Sequence, residues 1–128
     1  MTGFRPEKTY RANKLVLDLL AANKAIGENE ELLKKMAAIF YDDMPRMTER
    51  LRQALTDEDI KMITQHAHTI KGASDNIKAK MMSETAIRVE QAAINGSQQE
   101  AFGLFKKLEI KLEKVRKALL ESGLLDKN

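Results

Sequence analysis

Cysteine and tryptophan are absent from the sequence, and only 5% of its 128 residues are aromatic. Without cysteine there is no disulfide, no thiolate chemistry and no cysteine-based zinc site. With so few aromatics, the core falls to Leu, Ile, Met and Ala. Proline and glycine are scarce, at two and six residues, and no run approaches the roughly 18 apolar residues of a membrane-spanning helix. The N-terminus lacks the apolar region of a secretory signal, so a cytoplasmic protein without a membrane segment is the expectation. One-sided charge is missing too, since 22 basic against 19 acidic residues leave +3. The run KKLEIKLEKVRKALLE alternates in sign, as a solvated helix face does. No basic face with interleaved aromatics argues for nucleic acid.

What is present favours helix. The length fits one domain with a single core, and Ala, Leu, Lys, Glu and Met, all good helix formers, dominate. Residues 1–13 are polar and aperiodic and read as a tail or linker. Leu15, Leu19 and Ala22 follow helical spacing in a short segment that stops near Gly27. A long helix then starts at Asn29, a capping residue, with Glu30 and Glu31 in the dipole-favoured first turn. Leu32, Met36, Ile39, Phe40, Met47, Leu51 and Leu55 give it an apolar stripe. Pro45 falls inside it and predicts a kink.

A third helix follows the turn near Thr56 and Asp57. A fourth spans about Lys80 to Asn95, ended by Gly96. Ser97 and Glu100 have the spacing of a capping box opening a fifth, which runs to about Glu121 and ends at Ser122 and Gly123. With no strand period, the expected fold is all-α: an antiparallel four-helix bundle over residues 14–122 with an additional short N-terminal helix. Residues 123–128 read as a C-terminal tail.

The third helix contains HAHTIKGASDN, from His66 to Asn76, where a mid-helix glycine costs about 1 kcal/mol relative to alanine. On a wheel with His68 at zero, Ile63, Ile70 and Ile77 fall at about 180–220° and form the buried stripe. His66 lies at about 160°, at the margin of that stripe. Lys61, Thr64, Gln65, Lys71, Gly72 and Asp75 fall within about 60° of His68. His66 therefore reads as a packed, hydrogen-bonded structural histidine and His68 as a solvent-facing one. Their i,i+2 spacing excludes a helical metal-ligand pair, which needs i,i+3 or i,i+4.

An exposed imidazole is a good nucleophile near neutral pH. Lys71 sets an ammonium one turn away, and Gly72 leaves no side chain over the same patch. The three together suit acceptance of a phosphoryl group from another protein. Spacing alone equally allows a surface histidine beside an accidental helical glycine.

The run AHTIKGAS, Ala67 to Ser74, resembles the signature H-x-[LI]-K-G-[SA]-[SA] of histidine-containing phosphotransfer (HPt) domains. The resemblance covers roughly residues 15–121, including the proline-containing FYDDMPRMTERLRQAL and the junction EQAAINGSQQEAFGLFKKLE. It implies a four-helix bundle that relays phosphoryl groups between receiver domains in multistep two-component signalling. Carried over, His68 is the phosphoacceptor, Lys71 the phosphate-stabilising charge and Gly72 the steric opening. Glu90 is the candidate to hold the inner ring nitrogen and leave Nε2 free to attack, with Gln91 as the weaker candidate and a solvated Glu90 as the plain alternative. One departure is Lys78, which stands where the family often has glycine and either alters the turn or adds positive charge beside the partner surface.

The chain has no nucleotide-binding glycine loop and no acidic cluster for Mg²⁺. The resemblance therefore implies a phosphocarrier without ATP-dependent kinase activity or a cofactor of its own, the partner receiver supplying aspartate and Mg²⁺. Expected partners are response-regulator receivers and a sensor or hybrid histidine kinase. Nothing demands more than a monomer. Phe40 or Met44 could form an apolar docking ring, although core packing is the simpler reading of both. Two alternatives stay open: a domain belonging to a chemotaxis-type or hybrid kinase, and a helical adaptor that performs no transfer.

Overall fold

Asp18, Asn29 and Asp59 each stand one residue before a helix, with a side-chain oxygen accepting the backbone N–H three residues on. Such caps satisfy donors that the helix itself leaves unpaired. The structure, a computed structural model, describes residues 16–125, so Leu15 and the tail at 1–13 lie outside the described residues. Five helices follow: α1 (Leu19–Ala25), α2 (Glu30–Thr56), α3 (Ile60–Asn76), α4 (Lys80–Ile94) and α5 (Gln98–Ser122). No strand occurs among the described residues. Helices α2 to α5 pack in chain order and α5 closes against α2. This is an antiparallel four-helix bundle with a short helix before it.

All four connections use one device. Two backbone hydrogen bonds return to the last turn of the preceding helix, as in Ala79 N–H to Ser74 O (2.8 Å) and Lys78 N–H to Asp75 O (3.1 Å) after α3. The residue that makes the shorter loop is left-handed each time: Gly27, Glu58, Lys78 and Gly96, at φ 74°, 53°, 61° and 79°. These are Schellman motifs. Glycine adopts that conformation freely, whereas Glu58 and Lys78 carry a steric cost. Lys78 thus occupies the position where glycine would be the unstrained choice, and the turn keeps its form. The Lys78 carbonyl accepts Asp18 N–H at 3.1 Å, which fixes the start of α1 against the α3–α4 turn.

The core runs the length of the bundle through Leu33, Leu51, Leu55, Ile63, Ile70, Ile77, Met82, Val89, Leu108 and Leu119, all fully buried. α1 adds Leu19 and Ala22, and Leu17 just before it is also buried. On α2 the buried face is Leu33, Ala37, Phe40, Met44, Thr48, Leu51, Ala54 and Leu55. The expected stripe is therefore wrong in its first turns, because Leu32 and Ile39 are exposed and Met36 only partly buried. α2 is apolar on two adjacent rows there, and the row with small Ala37 and Thr48 is the one that packs.

The helix continues through Pro45 as one element, and the Thr48 hydroxyl donates to the Pro45 carbonyl at 2.9 Å. At the start of α5 the Ser97 hydroxyl donates to the Glu100 carboxylate at 3.2 Å, side chain to side chain. The reciprocal backbone bonds of a capping box do not form, since Ser97 makes no cap bond to a backbone N–H. Gln98 instead anchors this end, its Nε2 donating to Leu55 O of α2 at 2.5 Å. Beyond α5, Leu124 is buried and its N–H donates to the Ser122 hydroxyl.

Candidate functional site

α3 buries Ile63, Ala67, Ile70 and Ser74, and this orients its opposite face outward. His68 lies on that face with 63% of its side chain exposed. From α4, Glu90 reaches it: Glu90 Oε2 lies 3.0 Å from His68 Nε2. Two lone-pair atoms approach so closely only with a proton between them. Glu90 is 14% exposed, so it is anchored among neighbours while the ring stands in solvent. Glu90 thus faces His68, though not through the ring nitrogen the resemblance implies. The engaged nitrogen is Nε2, the one expected to be free. Gln91, one residue on, is exposed and plays no part in this contact. His66 is partly buried at the margin of the core, and its ring makes no hydrogen bond to a described residue, contrary to expectation.

Lys71 follows His68 by three residues, yet its ammonium is directed the other way along the helix, to Asp75 Oδ2 at 2.9 Å. The other oxygen, Asp75 Oδ1, accepts the Ser83 hydroxyl of α4 at 2.6 Å. The Ser83 bond first, then Lys71, holds the Asp75 carboxyl below the usual aspartate range. Asp75 and Ser83 were not singled out as site residues from sequence. The i,i+4 spacing of Lys71 and Asp75 was a usable signal, whereas the link to Ser83 crosses between helices and leaves none.

Gly72 is exposed in mid-helix, and a Cβ added there would meet nothing within 4 Å. No packing requirement inside the molecule therefore explains the glycine. On the flank of α3 away from Glu90, Thr69, Ala73 and Asn76 border an apolar groove of about 330 Å³ against Met36, Ile39 and Met47 of α2. Phe40 and Met44 also border it, but they are 3% and 4% exposed and their bulk belongs to the core. Ile39, which the spacing assigned to the core, is the prominent apolar side chain of this rim, at 61% exposure.

Among the described residues no group of three His, Asp or Glu side chains could hold a metal ion. Nor is any described helix long and apolar enough to cross a membrane.

The sequence profile of the Hpt domain matches residues 35–118. The crystal structure of histidine-containing phosphotransfer protein B (HptB) from Pseudomonas aeruginosa PAO1 superposes with a TM-score of 0.71 at 22% identity, over 87% of this chain and 91% of that one. At that identity the superposition speaks for the fold. No curated protein matches the sequence. The profile spans well over half of the chain, helices α2 to α5 with the His68 face included, and the chain belongs to the Hpt domain family.

Proposed function

We propose that this chain is a phosphorelay carrier that accepts a phosphoryl group on His68 from a receiver phospho-aspartate, or from a sensor kinase, and passes it to a response-regulator aspartate. The observation that carries the reading is the His68–Glu90 contact. A carboxylate that is largely withdrawn from water is costly without a partner, and the partner of Glu90 is an exposed imidazole at 3.0 Å. A nucleophile held by an anchored carboxylate is the arrangement nucleophilic catalysis requires.

In the transfer, a ring nitrogen lone pair attacks phosphorus in line. The N–P bond forms as the P–O bond to aspartate breaks, and those electrons leave with the aspartate carboxylate. The ring then holds phosphorus on one nitrogen and a proton on the other, and that N–H needs an acceptor. Nε2 is the nitrogen farther from the backbone and so the better placed to meet a partner. Attack through it requires the exposed ring to turn, giving Nδ1–H to Glu90 and freeing Nε2. Lys71 supplies positive charge to the phosphoryl oxygens. Gly72 leaves the approach open, and the apolar groove beside α3 receives part of the receiver surface. Mg²⁺ would come with the receiver, whose phospho-aspartate chemistry uses it.

The test is label transfer from phosphorylated receivers of the same genome to wild type and His68→Gln. Wild type should gain an acid-labile, base-stable label, with the phosphorus on Nε2 by NMR, and His68→Gln should gain none. Label retained in His68→Gln would assign the chemistry to another residue, with His66 examined next. Absence of label on folded wild type, with binding to partners intact, would make the protein an adaptor.

A further inference from the structure

Lys71 stands one turn from His68 on the same face, where it can serve a phosphoryl group on the ring, and it is already engaged. Its ammonium lies 2.9 Å from Asp75 Oδ2, and Asp75 Oδ1 is held at 2.6 Å by Ser83 of the neighbouring helix. Along α3 the order is His68, Lys71, Asp75, with Lys71 about 4.5 Å of axial rise beyond the histidine and about 6 Å short of the aspartate. All three project from one face. A lysine stem is flexible and its ammonium has three donors, so it can swing towards either neighbour. Asp75 has no such freedom, because the Ser83 hydroxyl pins it to α4.

We infer that Asp75 is a positioning residue of the relay, a fixed carboxylate that competes with phosphohistidine for Lys71 and so keeps the phosphoryl group on His68 easy to pass on. The inference rests on the reading of His68 as the phosphoacceptor. In the resting protein the carboxylate holds Lys71 away from the imidazole. A phosphoryl group brings close to two negative charges at neutral pH and draws the ammonium back by one turn, but the Asp75 charge remains and opposes the move. A carrier must release what it accepts, and a lysine committed wholly to the phosphoryl group would favour retention. Sharing it with Asp75 brings the two states of the carrier closer in free energy. The pairs are partly exposed, so the effect is a modest bias and not a lock.

Asp75→Asn tests this directly, since it keeps the shape and an acceptor for Ser83 while removing the charge. The transfer equilibrium with a phosphorylated receiver should shift towards phosphohistidine by about threefold, and onward transfer should slow to a similar degree. The second variant is Lys71→Gln, in which Asp75→Asn should produce no shift, because the competition it relieves no longer exists. A shift that persists in Lys71→Gln would mean simple repulsion between Asp75 and the phosphoryl group and would overturn the inference. An unchanged equilibrium in Asp75→Asn, with circular dichroism showing an intact bundle, would overturn it as well while leaving the carrier reading in place. If wild type takes label neither from receivers nor from the small-molecule donor phosphoramidate, the reading of His68 itself fails and the inference falls with it.

Discussion

At the level of a single residue, the proposed function makes Gly72 the place where the needs of the fold and of the transfer part. Glycine in a helix interior costs about 0.5–1 kcal/mol relative to alanine, and a methyl group at Gly72 would touch nothing. Gly72→Ala should therefore raise the melting temperature by roughly 2–5 °C. The same methyl group would stand one turn from His68, on the surface that the proposed function has a receiver approach. Transfer from a receiver should fall by about tenfold, the equivalent of about 1.4 kcal/mol of lost approach. A thermal melt and a transfer time course on one sample measure both. A stabilised variant that transfers normally would remove Gly72 from the site. Gly103 is also helical, exposed and without neighbours within 4 Å, so Gly103→Ala supplies the reference for what the methyl group does to stability alone. Much of this residue-level picture is legible in the sequence, since the wheel of α3 places His68, Lys71 and Gly72 on one outward face. The identity of the ring nitrogen facing Glu90 is not, because it depends on side-chain rotation in two different helices.

At the scale of the elements, the connections decide which sequence signals were readable. Gly27, Gly96 and Gly123 mark helix ends plainly, and each is left-handed in the structure. Glu58 and Lys78 occupy equivalent turns with the same hydrogen bonds but give no composition signal. A left-handed L-residue costs about 1–2 kcal/mol, offset in part by the greater unfolded-state freedom of glycine. Glu58→Gly and Lys78→Gly should each stabilise the protein by about 0.5–1 kcal/mol, seen as a higher midpoint in urea with an unchanged slope. A loss of stability at either position would mean that its side chain makes a compensating contact. The expected α2 stripe fails in its first turns for a related reason. Leu32, Met36 and Ile39 match helical period as well as Leu33, Ala37 and Phe40 do, and the choice between two apolar rows is made by the helices opposite. Periodicity within one helix cannot contain that information.

For the molecule as a whole, that second row of α2 leaves an apolar groove open, which the proposed function uses to seat a receiver. Ile39 is 61% exposed beside Met36 and Met47, at a groove bounded by Thr69 and Ala73 of α3. Thr69 is next to His68 in sequence, so a surface seated in this groove would lie beside the proposed phosphoacceptor. Clustered exposed apolar groups of this kind are typical of interaction sites. Large side chains at the centre of such contacts commonly carry more than 1 kcal/mol each. Ile39→Lys places a charge at the rim without disturbing Phe40 or Met44, which fill the core beneath. Stability should change by less than about 0.5 kcal/mol, as for other exposed substitutions. Affinity for a cognate receiver should fall by about tenfold, and the transfer rate at low receiver concentration should fall in proportion. At saturating receiver the rate should return towards wild type, because His68, Glu90 and Lys71 remain in place. Gly72→Ala should not recover so fully, since its methyl group would stand beside the proposed phosphoacceptor. Calorimetric titration together with transfer rates over a range of receiver concentrations distinguishes the two variants. If Ile39→Lys binds as wild type does, the receiver must dock across the α4 side of His68, the side occupied by Glu90 and the Lys71–Asp75–Ser83 cluster.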